Sequence, residues 1–191
     1  MIKTAAAILF IIWFLLNSCA NISTLQTPVV SDYKKGQTGI GVLSLTTDHT
    51  YCCAPEVYVR YGFYNNFDGG LKLGYLYVTG DLKYQLFKEP FYGAIDFSFT
   101  RGGVFSLWGD NEKDEIIGYN EFSPMLIFGS ENIFGGAKLL YFTNTNYNLY
   151  GFFWGAFIGD EFGILPVLNI YFQDGDRDAA IVPNIGFQWK F

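Results

Sequence analysis

The sequence has few of the residues that supply charge, catalysis or cross-links in a typical soluble protein. Only 16% of its 191 residues are charged, the net charge is −6, and it contains one histidine and three cysteines. An acidic chain is a poor partner for nucleic acid. Apart from Cys19, the cysteines are the adjacent Cys52 and Cys53, which cannot bridge each other without strain and are too few for a structural zinc site. We therefore expect no disulfide scaffold, no metal site and no cofactor.

The chain also lacks a hydrophobic run long enough for a transmembrane helix. Its apolar stretch at residues 5–16 has 12 residues, whereas a membrane-spanning helix needs about 20. Lys3 before this stretch and the small residue Ser18 after it give the layout of a secretory signal. We therefore expect the chain to be exported.

The end of this signal, Leu16-Asn17-Ser18-Cys19, resembles the lipobox of bacterial lipoproteins. Asn17 departs from that pattern, because a small residue is more usual there. The resemblance implies that residues 1–18 are a signal peptide and that Cys19 is lipidated. We then expect a polar tether at residues 19–37 and a single domain at residues 38–191. The alternative is an ordinary signal peptide with a chance cysteine.

What the sequence has in excess is aromatic side chains, at 20%, and glycine, with 22 residues. No convincing helical periodicity follows the tether. Segments of alternating apolar and polar residues are instead separated by turn residues, as in "EVYVRYGFY", "DLKYQLF" and "FYGAIDFSFT". This pattern predicts an all-β antiparallel protein of about ten strands. Eight strands is the alternative, if two of the weaker segments lie outside the sheet.

Three features favour a membrane barrel with its apolar face turned to lipid. The connections between the expected strands alternate in length. Every second connection is short, and these are 65–69, 88–90, 130–132 and 159–162. The others are expected at 46–54, 79–80, 101–118, 143–146 and 173–180. Aromatic residues cluster toward the strand ends. The final "NIGFQWKF" resembles the C-terminal signature by which outer-membrane proteins are recognised for insertion. We therefore predict an up-and-down transmembrane β-barrel. We also expect the barrel-insertion machinery of the outer membrane to recognise its last strand, which ends at Phe191.

The inward faces then carry charges of both signs, which must pair, together with glycines. A narrow barrel is filled by its own side chains, so we expect no open general pore. The pattern resembles small bacterial outer-membrane β-barrels of the OmpA-like size class. The charged residues expected inside are Glu56, Arg60, Lys72, Lys83, Asp96, Lys138 and Lys190.

Other features fit a soluble barrel equally well. Residues 147–158 and 163–172 are apolar on both faces, and three prolines, Pro124, Pro166 and Pro183, interrupt expected strands with their side chains outward. A half-apolar lumen could hold an acyl chain, with the prolines loosening the wall, and in this the chain loosely resembles the lipid A palmitoyltransferase barrel. Ordinary packing is the simpler interpretation. The residues expected to form the apolar lumen are Phe134, Leu140, Phe152, Trp154, Leu165 and Val167.

Acidic side chains in two external loops are the candidate contact residues. The spacing in "QDGDRDA" resembles the start of a calcium loop but lacks its glycine and its final glutamate, so an EF-hand is excluded. Weak binding of divalent ions near lipopolysaccharide is one interpretation, and a solvated hairpin tip is the simpler one. The candidate contacts are Asp110, Glu112, Asp114, Glu115, Asp174, Asp176 and Asp178.

His49 is the only histidine, in an external loop beside Asp48. Small outer-membrane enzymes that remodel lipid A resemble it in placing a histidine near a serine and an acid, and Ser44 or Ser106 could serve. No local motif joins these residues, so a solvated loop histidine is the simpler interpretation. Cys52 and Cys53 are either a reactive or acylated pair or unremarkable residues at a strand end.

The sequence thus favours a non-enzymatic integral outer-membrane (lipo)protein of a bacterium, with a structural or surface-interaction role. Its expected partners are outer-membrane lipid and lipopolysaccharide. Two alternatives stay open. One is a barrel that modifies lipid or transports an apolar ligand. The other is a lipid-anchored, periplasm-facing soluble β-barrel that binds an apolar ligand.

Overall fold

The computed structural model describes residues 25–47, 50–74, 77–105, 116–143, 148–173 and 179–191. Within these ranges no helix has the length and apolarity needed to cross a bilayer. The strands are β1 Gly36–Thr47, β2 Thr50–Tyr64, β3 Phe67–Gly74, β4 Tyr77–Phe87, β5 Tyr92–Phe105, β6 Ile116–Gly129, β7 Ile133–Phe142, β8 Asn148–Ala156, β9 Ile158–Gly159, β10 Phe162–Gln173 and β11 Ala179–Lys190.

These strands form one closed antiparallel sheet. Each long strand pairs with the next along the chain, and β11 pairs with both β10 and β1, which closes the ring. The two-residue β9 continues the line of β8 along β10, so β8 and β9 together count as one strand of the wall. The barrel therefore has ten strands. The predicted all-β up-and-down barrel of ten strands is confirmed, and the alternative of eight strands is wrong.

The two ends of the barrel differ in their connections. At the end that carries the start of β1 and Phe191, which we name the terminal end, the strands join through residues 65–66, 88–91, 130–132 and 160–161. At the opposite end the gap between β5 and β6 runs over residues 106–115. The β1–β2 and β3–β4 gaps at that end are two residues each, so the expected alternation of short and long connections is present only from β5 onward, and several strands extend further than predicted.

The sheet turns its apolar face outward. On β2, Val57, Val59 and Tyr61 are 43–47% exposed, whereas their neighbours Glu56 and Arg60 are 2–3% exposed. The same alternation runs along β4, β10 and β11. A soluble sheet buries its apolar face, and the reverse polarity is that of a transmembrane barrel.

One predicted turn is wrong. The sequence placed a turn at residues 79–80, but Thr79 and Gly80 lie inside β4, and the β3–β4 connection falls at residues 75–76. Gly80 is a turn-type residue that here faces outward, and a β-carbon added to it would meet no other atom within 4 Å. The shift moves Tyr77 from the predicted outer face to the interior, where it is 4% exposed.

The N-terminal part of the described chain also differs from prediction. The tether expected at residues 19–37 is described from residue 25, and residues 25–31 lie inside the barrel instead of hanging free from it. A single parallel bridge joins Tyr33 to Gly62 before β1 begins at Gly36. The folded unit therefore starts ahead of the predicted boundary at residue 38.

Glycines on the inner wall make room for aromatic rings. A β-carbon added at Gly136 would overlap the Phe153 ring and the backbone carbonyl oxygen of Leu126. A β-carbon at Gly39 would overlap Tyr58 in the same way. In a narrow barrel, inner positions without side chains are what allow large rings opposite them to fit.

We expect Gly136→Ala to destabilise the barrel by about 1–3 kcal/mol, because the backbone carbonyl beside it cannot move aside like a flexible side chain. Gly80→Ala is the matched control, since it adds the same methyl group at an open outward position. Urea unfolding of both variants in phospholipid vesicles, followed by tryptophan fluorescence, measures the difference. Equal stability of the two variants would show that the Gly136 site relaxes freely.

Candidate functional site

The lumen has a charged half, built by the inward faces of β2 to β5. Arg60 on β2 lies at its centre. Its guanidinium forms ion pairs with Asp68 on β3, with Asp81 on β4 at 2.5 Å and with Asp96 on β5 at 3.5 Å. One cation therefore connects four neighbouring strands.

These charges are removed from water. The side chains of Arg60, Asp68 and Asp96 are at most 4% exposed, and the side chain of Lys83 on β4 is fully buried 3.4 Å from Asp68. Removing one partner of a buried ion pair leaves an uncompensated charge, which costs several kcal/mol. The charged cluster thus stabilises the barrel only as a complete set.

Residues 25–31, which we name the strap, run through this half of the lumen. The ammonium of Lys83 donates to the backbone carbonyls of Thr27, at 3.1 Å, and Val29, at 2.9 Å. Together with Asp68 these carbonyls give three oxygen partners for the three protons of the ammonium. Lys83 therefore attaches the strap to the ion-pair cluster.

Three further hydrogen bonds hold the strap. The backbone N–H of Ser31 donates to Asp68 at 2.8 Å, and that of Val30 donates to the Gln85 side-chain oxygen at 2.9 Å. The Gln37 amide donates to the Ser31 hydroxyl at 2.9 Å. Asp68 thus accepts from the strap while it pairs with two cations.

Leu25 marks the inner end of the strap. It is 2% exposed, and its side chain lies where β-carbons on Gly41 and Gly186 would point. Gly41 pairs with Gly186, five residues beyond Gly36. At about 3.3 Å per residue, Leu25 lies roughly 16 Å along the strand from the terminal end, near the middle of the lumen.

The other half of the lumen is apolar and filled. Its largest rings are Phe134, Phe153 and Phe157, which pack with Leu165 and Val167, all at most 3% exposed.

The predicted inward positions of Phe134, Leu140, Leu165 and Val167 are confirmed. Those of Phe152 and Trp154 are wrong, because these side chains are 49% and 56% exposed on the outer wall. Since β8 is apolar on both faces, its sequence gave no sign of which residues point inward. The rings inside take the space that the hypothesis of an apolar lumen reserved for an acyl chain.

A second polar group lies nearer the opposite end. Lys72 is 3.8 Å from Glu56, and the Tyr77 hydroxyl donates to the same carboxylate. Glu121 is fully buried, and within the described part of the chain neither of its carboxylate oxygens has a hydrogen-bond partner. Lys138 and Lys72 supply the opposing charge for Glu121.

At the terminal end a cavity of about 480 Å³ lies between the strap and the final residues of the chain. Its charged lining is balanced, with three cations and three carboxylates, so the cavity selects for neither sign of ligand. These residues are Asp32, Lys35, Lys88, Glu131, Glu161 and Lys190.

Most of the sequence-predicted site residues lie outside the described part of the chain. This holds for Cys19, for His49 with Asp48 and Ser106, and for all seven acidic candidates, which stay predictions. These seven are Asp110, Glu112, Asp114, Glu115, Asp174, Asp176 and Asp178.

Cys52 and Cys53 belong to β2, where they pair with Leu45 and Ser44 of β1. Their backbone therefore lies in the wall and not in a loop.

The described residues form ion pairs and hydrogen bonds that join the strands and the strap. Among them, no group of three or more histidine, cysteine, aspartate or glutamate residues is arranged to hold a metal ion. Where three aspartates do converge, Arg60 and Lys83 occupy the place a bound cation would take. The site fixes strands and the strap to one another.

Sequence reasoning missed the strap. Its signal was present in "LQTPVVS", where Leu25, Val29 and Val30 interrupt a polar stretch and Pro28 favours an extended chain. Alternation cannot detect such a segment, because the strap is not part of the sheet.

Comparison with solved structures finds similarity to bacterial β-barrel proteins, including the following two. The N-terminal β-barrel domain of OprF from Pseudomonas aeruginosa is 12% identical, over 81% of this chain and 97% of that one, with a TM-score of 0.38. Ail, the attachment invasion locus protein of Yersinia pestis, in complex with the heparin analogue sucrose octasulfate, is 10% identical, over 83% and 99%, with a TM-score of 0.31. No protein-family model and no curated protein matches the chain. At these TM-scores the likeness carries no functional argument.

We expect Lys83→Met to lower the free energy of unfolding by about 3–5 kcal/mol, because it leaves Asp68 with one cation and two strap carbonyls without a donor. Lys88→Met is the control, since Lys88 is exposed and makes one 3.5 Å contact with the Asn65 carbonyl. Its effect should stay within about 0.5 kcal/mol. Urea unfolding in vesicles measures both, and equal losses would contradict the central place of Lys83.

Proposed function

We propose that the protein is an integral outer-membrane β-barrel of a bacterium, with a structural or surface-interaction role and no open general pore. The observation that carries this proposal is the polarity of the wall. Large apolar side chains cover the outside, and paired charges lie inside. A closed antiparallel barrel leaves no unpaired strand edge, which is what a β-protein needs in lipid.

The filled lumen supports the absence of an open pore. The Arg60 cluster and the strap occupy one half, and the aromatic rings around Phe153 occupy the other. Water-filled channels occur in much wider barrels, of about 16 strands.

The connections support one orientation. Outer-membrane barrels have short periplasmic turns and longer external loops, so the terminal end faces the periplasm. The connection at residues 106–115, with Asp110, Glu112, Asp114 and Glu115, then faces outward and is the main candidate contact with other molecules. Asp174, Asp176 and Asp178 lie in a connection at the same end.

The lipid anchor at Cys19 is part of the proposal. Its support is the lipobox-like end of the signal, Leu16-Asn17-Ser18-Cys19. Outer-membrane lipid and lipopolysaccharide then surround the wall. The strand ending at Phe191 is the segment that the insertion machinery recognises.

The alternative of a soluble periplasmic barrel has less support. Such a barrel would place its apolar face inside, whereas Val57, Leu82 and Phe97 are each more than 40% exposed. A barrel that handles lipid keeps one specific observation in its favour, a groove on the outer wall that is described below.

We expect the protein to stay in the outer membrane when residues 1–19 are replaced by a plain cleavable signal peptide. The strap begins at Leu25 and is retained in this variant, so the barrel itself is unchanged. Urea-washed membranes should keep the protein, and boiled and unboiled samples should migrate differently on a gel. Release into the periplasm would show that Cys19 was the only tether and would overturn the integral barrel.

We expect an epitope inserted within residues 106–115 to be detected by antibody on intact cells. The control places the same epitope within residues 130–132, the short connection between β6 and β7 at the terminal end. That epitope should be detected only after the outer membrane is opened. The reverse result would invert the proposed orientation.

A further inference from the structure

The wall of the barrel is interrupted between β6 and β7. Phe122 pairs with Tyr141 and Met125 pairs with Lys138, but the two residue pairs between them are absent from the ladder. Pro124 lies in this interval and has no N–H to donate. The carbonyl of Leu139 accepts a hydrogen bond from the Ser123 hydroxyl at 2.7 Å instead. The Leu139 carbonyl therefore keeps a hydrogen bond although the ladder is interrupted beside it.

A groove of about 450 Å³ lies over this interruption on the outer surface. The small side chains of Pro124 and Ala137 form its floor. In the strand register Ala137 lies between Leu126 and Phe152, two large outward residues, so it leaves a depression between them. The rim residues are Ile95, Leu126, Leu139, Tyr150 and Phe152.

The groove accepts only hydrocarbon. Its outward lining is carbon apart from the Tyr150 hydroxyl, and Lys138 beneath it is an inward residue 4% exposed. A polar ligand would lose its hydrogen bonds to water here without replacement, which costs several kcal/mol.

The depth of the groove assigns it to one leaflet. Leu126 is three residues from Gly129, and Ala137 is four residues from Ile133, both at the terminal end. At about 3.3 Å per residue the groove starts roughly 10 Å along the strands from that end. In the proposed orientation this is the periplasmic half of the bilayer, which contains phospholipid.

We propose that this groove is a binding site for one acyl chain of a phospholipid in the periplasmic leaflet. The inference rests on the proposed function for its orientation. A protein partner would need a contact of about 1,000 Å², whereas a groove bounded by the single strands β5 and β8 matches one flexible chain.

The test uses native mass spectrometry of the barrel extracted in mild detergent. We expect the natural protein to retain one phospholipid. Ala137→Leu fills the floor of the groove and should lower the retained fraction about tenfold, or ~1.4 kcal/mol. Gly80→Leu is the matched control, because it adds the same side chain at an outward position with open space around it. It should retain lipid as the natural protein does.

A second pair of variants tests the interruption itself. Pro124→Ala restores an N–H opposite the Leu139 carbonyl, so the ladder should close and retained lipid should fall. Pro183→Ala, at another outward proline in β11, should leave lipid retention unchanged. If Ala137→Leu fails to fold, the comparison of Pro124→Ala with Pro183→Ala still tests whether the groove binds lipid.

Failure of the groove proposal and failure of the proposed function give different results. A natural protein that resists urea extraction and shifts on boiling, yet carries no phospholipid, overturns the groove alone. Equal retention by Ala137→Leu and Gly80→Leu identifies unspecific surrounding lipid and also overturns it. Retention of a lipopolysaccharide chain instead of phospholipid overturns the assigned leaflet and with it the proposal. Loss of the boiling shift in the natural protein contradicts the proposed function.

Discussion

The structure depends on one guanidinium. Arg60 on β2 pairs with carboxylates on β3, β4 and β5, so a single side chain joins four strands of the barrel from within. Asp68 connects this cluster to the strap, since it also pairs with Lys83 and accepts a hydrogen bond from the strap backbone. Because these groups are buried, each is stable only while its partners are present. The charged half of the lumen therefore behaves as one unit, from the wall to the strap.

The apolar half follows a different rule. There the strands are joined by aromatic rings that pack against glycines, as Phe153 does against Gly136 and Phe134 does against Gly155. Close packing of these side chains holds this half together, whereas ion pairs hold the charged half together. Between the two halves Leu25 packs with Tyr58 in the same cluster as the rings, so the strap touches both.

The sequence predicted much of this because period-two alternation is strong wherever one face is polar. On β2 the contrast between Val57 and Glu56 assigned both faces correctly. Prediction failed where that contrast vanishes. On β8 both faces are apolar, so Phe153 and Phe152 were exchanged. At Gly80 a turn-type residue lies within a strand. The strap was not predicted because its hydrogen bonds join its backbone to side chains that are distant in the sequence. No local sequence pattern indicates such partners.

The position of the strap has a practical consequence for anyone who labels this protein. Leu25 lies near the centre of a closed ring, so a reporter fused directly to that residue begins its path inside the ring. A bulky fusion there competes for space with Gly41 and Gly186, where even a methyl group would meet Leu25. A chain shortened to start at Leu25 would therefore carry an N-terminal purification handle inside the barrel. Attachment sites are better sought in the connections.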